Sequence, residues 1–205
     1  MAAGNFEMCV TRLRGRTFLT LRGPETKATA ADCPTEGEWI GIRFKLGTFM
    51  PRNPPGSLRD RQDVTLPNAN GKSFQLDGSA WEYPDFENAE TFVKRLAKAG
   101  LISRNLVVDE VLGAHPPTRS VRSAQRHFLQ ATGMTYSSYR QIERARYATN
   151  LLKQGVSVLD TVHLAGYFDQ AHLTRSLKHL IGETPVEIIR GRRQLSFLYK
   201  NDPPR

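Results

Sequence analysis

The stretch Val158–Ile189, VLDTVHLAGYFDQAHLTRSLKHLIGETPVEII, decides the fold. Ser157 precedes an apolar pattern at Val158, Leu159, Val162 and Ala165, and Asp160 three residues on completes an approximate capping box, so a short helix begins here. Gly166 follows where that helix must stop in a left-handed conformation, which costs little only for a residue without a Cβ. Asp169 then stands as N-cap of a second helix, with Leu173, Leu177 and Leu180 at helical spacing and Gly182 after its end. The outer face of this helix carries Gln170, His172, Thr174, Arg175, Lys178 and His179, side chains that form hydrogen bonds, with no acid among them. Thr184 and Pro185 supply the N-cap and first-turn proline of a third short helix. Two helices joined by a glycine turn, the second polar on its outer side, have the form of a device that lays one helix in a DNA groove. From one copy alone, a helical hairpin with a solvated face reads the same.

A second copy separates the two readings. Asn105–Leu112 (NLVVDEVL) reads as a short helix, a turn holding Pro116 and Pro117 follows, and Ser120 caps a segment whose apolar face is Val121, Ala124, Phe128 and Ala131 before Gly133 ends it. Its other face shows Arg122, Ser123, Gln125, Arg126 and Gln130. Between the copies, residues 135–154 form a longer helix through Tyr139, Ile142, Ala145 or Arg146, Ala148 or Tyr147, and Leu151 with Leu152, ended by Gly155. A helix of about eighteen residues is about 27 Å long. That suits a spacer between two reading helices about one DNA turn, roughly 34 Å, apart.

Three segments, SVRSAQRHFLQATGMT from Ser120, RQIERARYATNLLKQG from Arg140 and LAGYFDQAHLTRSLKHLIGETPVE from Leu164, resemble the DNA-binding domain of the AraC/XylS family of bacterial transcription regulators. The resemblance implies two helix-turn-helix units joined by one helix, each unit entering a major groove, and double-stranded promoter DNA as partner. Carried over by position, it implies base readout by Arg122, Gln125 and Arg126 in the first unit and by Gln170, His172 and Arg175 in the second. Arginine matches the O6 and N7 of guanine, and glutamine pairs both edge groups of adenine. Ala171 stands where some relatives carry a larger polar reader, leaving it a thymine methyl or nothing. Arg140 and Lys178, with the backbone amides near Ser120 and Asp169, are the candidates for phosphate. RNA polymerase, a small-molecule effector and a second copy of the chain stand as further candidate partners.

Charge agrees with a polyanionic partner. The net charge is +9, and residues 1–85 carry eleven Lys and Arg against ten Asp and Glu, while residues 86–205 carry eighteen against ten. The surplus lies with the paired helices, which favours nucleic acid over a merely solvated surface. No long apolar run or lysine-rich amphipathic helix points to a membrane. A basic architectural or RNA-binding protein without strong sequence specificity is the alternative. Cys9 and Cys33 are too few for a disulfide framework and lack metal-ligand spacing, and the first residues, with Glu7 among them, lack the pattern of a leader, so a reduced, cytoplasmic protein is expected.

The first half is read as a small antiparallel β domain. Glu38–Leu46 alternates, with Ile40, Ile42, Phe44 and Leu46 on one face, and Met8–Leu13, Phe18–Leu21 and Ser73–Leu76 are β-rich between Gly and Pro clusters, one of them Pro51–Gly56. From Asp85 as N-cap, a helix is expected through Phe86, Ala89, Phe92, Val93, Leu96 and Ala97 to Gly100. The β region resembles, more weakly, the cupin-like sensor domains found upstream in the family; it is shorter than most, which leaves closure of a barrel open. The fold class is therefore α+β, with residues 1–84 a sensor or interaction domain, 85–104 a linker helix and 105–205 an all-α double helix-turn-helix domain whose apolar faces bury one another.

All five histidines follow residue 114, so the β domain lacks the ligands of a cupin metal site. His172 and His179 stand seven apart on one helix without a nearby Cys or carboxylate, and no metal or cofactor is expected. His163 is read as packing or facing the linker. No strand-turn-helix nucleophile elbow is present and neither cysteine has a basic or histidine neighbour in sequence, so no catalytic residue is assigned. Trp39, Phe44, Phe74 and Trp81 are read first as β core, and second as the lining of an effector pocket.

Overall fold

A computed structural model describes residues 1–30, 34, 36–61, 64–113 and 120–191. Pro116, Pro117, His115 and Cys33, which entered the sequence reading, lie outside the described residues. The chain is α+β, an antiparallel β region followed by helices, and it forms two compact units. One holds Gly4–Pro24 and Asp32–Thr135; the other holds Met1–Ala3, Glu25–Ala31 and the chain from Tyr136.

In the first unit, β1 (Glu7–Leu13), β2 (Arg16–Arg22) and β3 (Glu38–Arg43) form the strands expected, although burial does not strictly alternate, since adjacent Glu7 and Met8, and Leu19, Thr20 and Leu21 in a row, are all buried. β1 and β2 meet at the two-residue turn Arg14-Gly15, both residues with positive φ, the geometry that matches the twist of a hairpin. Register sets Met8 against Leu21 and Ile42, and Val10 against Leu19 and Ile40, so the apolar residues share one face. Glu7 lies on the opposite face and is buried, its carboxylate accepting from Arg43 Nε at 3.1 Å. The third strand ends at Arg43 rather than Leu46: Phe44 N–H donates to Phe6 O, and the chain turns through Gly47.

Short elements follow that the sequence reading did not find. These are β4 (Thr48–Phe49), α1 (Pro55–Leu58) and β5 (Val64–Thr65). After them, β6 (Ser73–Leu76) and β7 (Ser79–Glu82) form a hairpin about Asp77-Gly78. The four-stranded sheet runs β3-β1-β2-β5 with free edges, so among the described residues it does not close into a barrel. α2 (Ala89–Lys98) covers the core with Phe92 and Leu96. It starts later than expected, because the Asp85 carboxylate accepts the N–H groups of Glu87 and Asn88 and closes a separate turn. Phe86, expected on the helix's apolar face, is 81% exposed.

β8 (Ser103–Arg104) returns to pair with β4, and α3 (Val107–Leu112) and α4 (Val121–Thr132) complete this unit. Asn105 N–H donates to Gly47 O at 2.9 Å, and α4 packs on α3, α1 and β4. The boundaries expected at residues 84 and 104 therefore do not coincide with the compact units: the first helical pair is built onto residues 47–58. Gly133, after α4, has φ +72 and sits so close to α1 that a Cβ would lie 2.7 Å from the Pro55 carbonyl carbon, while its own carbonyl accepts from Arg59 Nη1. Phe128 is fully buried beneath α4, and truncating such a residue to Ala costs on the order of 3–5 kcal/mol.

In the second unit, α5 (Tyr136–Lys153) packs against α6 (Val158–Leu164), α7 (Gln170–Leu180) and α8 (Pro185–Arg190). α5 buries Ile142, Ala145, Ala148, Leu151 and Leu152, which settles the alternatives at 145–148 in favour of the two alanines. Ser157 caps α6, Gly166 ends it at φ +66, and Thr184 with Glu187 closes a reciprocal capping box on α8. Met1–Ala3 and the segment from Glu25 belong here: Ala3 and Glu25 form an antiparallel bridge, Ala2 N–H donates to Leu180 O at 2.6 Å, and Ala28 N–H to His179 O at 2.8 Å. Carbonyls at the end of α7 that no helical N–H reaches thus find partners from the start of the chain. Among the described residues no helix is long and apolar enough to cross a membrane.

Candidate nucleic-acid interface

The N-terminus of α7 is fixed by Asp169, whose carboxylate accepts the His172 backbone N–H at 2.6 Å. Just before it, Tyr167 is buried in the turn between α6 and α7. Its hydroxyl bonds Ser176 Oγ at 3.0 Å, the His172 ring meets it edge-on at 5.1 Å, and the Arg144 guanidinium lies over its face at 4.6 Å. Arg144 Nη1 also donates to Gly166 O. One aromatic ring thus ties α5, the turn and α7 together. None of these four was singled out for this role from sequence, although a tyrosine directly after the turn glycine and an arginine on the long helix were visible signals.

This anchoring turns a defined face of α7 outward. Leu173, Leu177 and Leu180 are buried on one side, while Gln170, Ala171 and Arg175 are exposed on the other and, with half-buried Thr174, line a shallow open concavity. His172 differs from the other assigned readers. It is half-buried, and its Nδ1 accepts the Phe168 N–H at 3.4 Å, so its ring is engaged within the turn. Lys178 is exposed and pairs with Glu187 Oε2 at 3.5 Å. The Thr184 backbone N–H, and then its hydroxyl, hold the Glu187 carboxyl below the usual carboxylate range. His163 is exposed rather than packed.

In the first pair, Ser120 Oγ accepts the Ser123 N–H, capping α4, and Arg122, Gln125 and Arg126 are exposed opposite buried Ala124, Phe128 and Ala131. Arg140, near the start of α5, is exposed. α4 and α7 are therefore each a capped helix with one apolar face buried and basic and amide side chains outward.

The aromatic residues proposed for a pocket are core in three cases of four. Phe44 packs on Phe6 at 5.4 Å; Phe74 and Trp81 are cross-strand partners on β6 and β7, each edge-on to Phe92. Trp39 is half-buried on β3 and lies against Gly37. A feature not read from sequence is that Trp81 Nε1 and the Tyr83 hydroxyl are buried with no hydrogen-bond partner among the described residues, and burial raises the Tyr83 pKa. No group of three or more metal-ligating side chains occurs among the described residues.

Residues 118–191 match the family model described as a helix-turn-helix domain. This segment is a helix-turn-helix DNA-binding domain of the AraC type. Over 86 residues, 42% of this chain, the sequence is 33% identical to the HTH-type transcriptional regulator RipA of Corynebacterium glutamicum. The match covers 25% of that relative's length. No solved structure matches the chain.

Proposed function

We propose that the chain is a sequence-specific transcription regulator that binds double-stranded promoter DNA, with α4 and α7 reading successive major grooves. The observation that carries this reading is the outward face of α7: Gln170, Ala171, Thr174 and Arg175 on a helix held at both ends, with exposed Lys178 beside them. The matching construction of α4 and the regulator named among the relatives support it. Encounter begins with Lys and Arg displacing counterions from phosphates, a term without sequence information. Discrimination follows from Arg126 and Arg175 at guanines and Gln125 and Gln170 at adenines, while capped helix starts at Ser120 and Asp169, with Arg140 and Lys178, fix the register on the backbone.

The β region serves in this reading as a sensor or pairing domain. Buried Trp81 and Tyr83, whose donors have no partner among the described residues, are the groups that a small polar effector would engage. A cytoplasmic location goes with the reading, and catalysis does not form part of it. The test is selection of bound duplexes from a random pool, followed by titration of the enriched operator against random DNA. Enrichment of a two-part site with half-sites about one turn apart supports the proposal. Uniform retention of the pool favours the architectural, sequence-independent alternative.

A further inference from the structure

Phe168 is 91% exposed, the most exposed large apolar side chain among the described residues. It is not in a loose loop. Tyr167 on one side is buried and donates its N–H to Val162 O at 2.9 Å; Asp169 on the other is the N-cap of α7; the Phe168 N–H itself bonds His172 Nδ1. The backbone of residue 168 is thus held one helical turn before Ala171 and His172, at the end of α7 that a recognition helix inserts first. Keeping an aromatic ring in water at a rigid position forgoes the burial of some 150–250 Å². Its surroundings select the occupant. Between Leu164 and Gly182 the only acid is Asp169, whose carboxylate is turned to the helix amides, while exposed Arg175 supplies positive charge and exposed Lys178 is paired with Glu187. A polyanion fits that charge, and the apolar group a duplex offers in its major groove is the C5-methyl of thymine, which phenylalanine can contact.

We infer that Phe168 is a specificity-determining residue that packs its ring on a thymine methyl at the edge of the half-site read by α7. The inference rests on the DNA-reading proposal above and adds a thymine requirement that the polar readers do not supply.

The test uses the full chain on its selected operator, with each thymine of the α7 half-site replaced in turn by deoxyuridine, which removes only the methyl. Wild type is expected to lose on the order of fourfold in affinity at one such position, the worth of one buried methyl. Phe168→Ala is expected to bind the unmodified operator about tenfold more weakly and to be indifferent to deoxyuridine at that position, with its melting temperature unchanged because the ring makes little contact with the fold. Phe168→Leu, which keeps an apolar side chain, should retain part of the deoxyuridine effect. Operator affinity equal to wild type in Phe168→Ala, or losses from the mutation and the missing methyl that simply multiply, would overturn the inference. So would light scattering in which Phe168→Ala dissociates an oligomer, since a second copy would then cover the ring. Arg175→Ala run in parallel separates the two levels. If it too leaves operator binding untouched, the DNA-reading proposal fails with the inference; if it alone weakens binding, only the role of Phe168 fails.

Discussion

Gly133 and Gly166 both end a helix with positive φ, yet the structure gives them different weights. A Cβ at Gly166 meets nothing within 4 Å, so Gly166→Ala is expected to cost only the left-handed backbone, about 1–2 kcal/mol. At Gly133 the same Cβ would also strike Pro55, Gly56 and Pro24, so Gly133→Ala should destabilise the chain more in denaturant melts; equal costs would contradict the packing of α4 on α1. On the reading faces, Arg126→Ala or Arg175→Ala should lower cognate affinity by roughly 1–3 kcal/mol and random-DNA affinity much less. Lys178→Ala should weaken both alike and make the salt slope shallower by about one unit, measured by titration across salt concentrations. In the β region, Tyr83→Phe removes a buried hydroxyl that has no partner among the described residues, so thermal melting should find stability unchanged or raised by up to about 1 kcal/mol. A clear loss would mean that the hydroxyl is satisfied in solution.

The elements follow from caps and spacing wherever the signals are local. Ser120, Ser157, Asp169 and Thr184 each accept an N–H from the residue three places on, and each was legible as an N-cap because the cap bond needs nothing beyond the next turn. Asp85 looked the same and is not one, since Asn88 intervenes as the N-cap and the carboxylate closes its own turn. The two-residue strands β4, β5 and β8 carry no period to read and exist only through their partners. On α5, Tyr139 gives a test of packing. Burial, more than the nearby Glu143, raises its pKa from 10.0 to about 12. The folded state therefore favours the neutral phenol, and this contribution is complete below pH 10 and lost as pH rises from about 10 to about 12. Ultraviolet titration should show late tyrosine ionisation, to which Tyr83 also contributes, and Tyr139→Phe should remove the part near pH 12.

For the whole molecule, the division of the chain is the main departure from the sequence reading. Read from sequence, the helices bury one another's apolar faces, so that a fragment from Asp85 folds as well as the full chain. In the structure α4 rests on α1 and β4, and the end of α7 is bonded by Ala2 and Ala28, all of which such a fragment lacks. Residues 85–205 should therefore retain helical circular dichroism with a lower melting temperature than the full chain, and lose operator discrimination while keeping the salt-dependent affinity for random duplex that goes with its basic surplus. Melting and operator titration equal to the full chain would restore the expected boundary.

The sequence by itself determined where the helices between Val107 and Arg190 lie, the N-caps at Ser120, Ser157, Asp169 and Thr184, and most of the inward sides, with Val121 and Leu159 exposed instead of packed, because each depends on groups within about one turn along the chain. Only the tertiary structure decided that Tyr167 joins Arg144 to Ser176, that Gly133 is pressed on Pro55, that the buried donors of Trp81 and Tyr83 lack partners among the described residues, and that Ala2 and Ala28 finish α7. Those facts come from residues distant in sequence meeting at hydrogen-bonding or van der Waals range, and no local period or cap records where a distant segment will close.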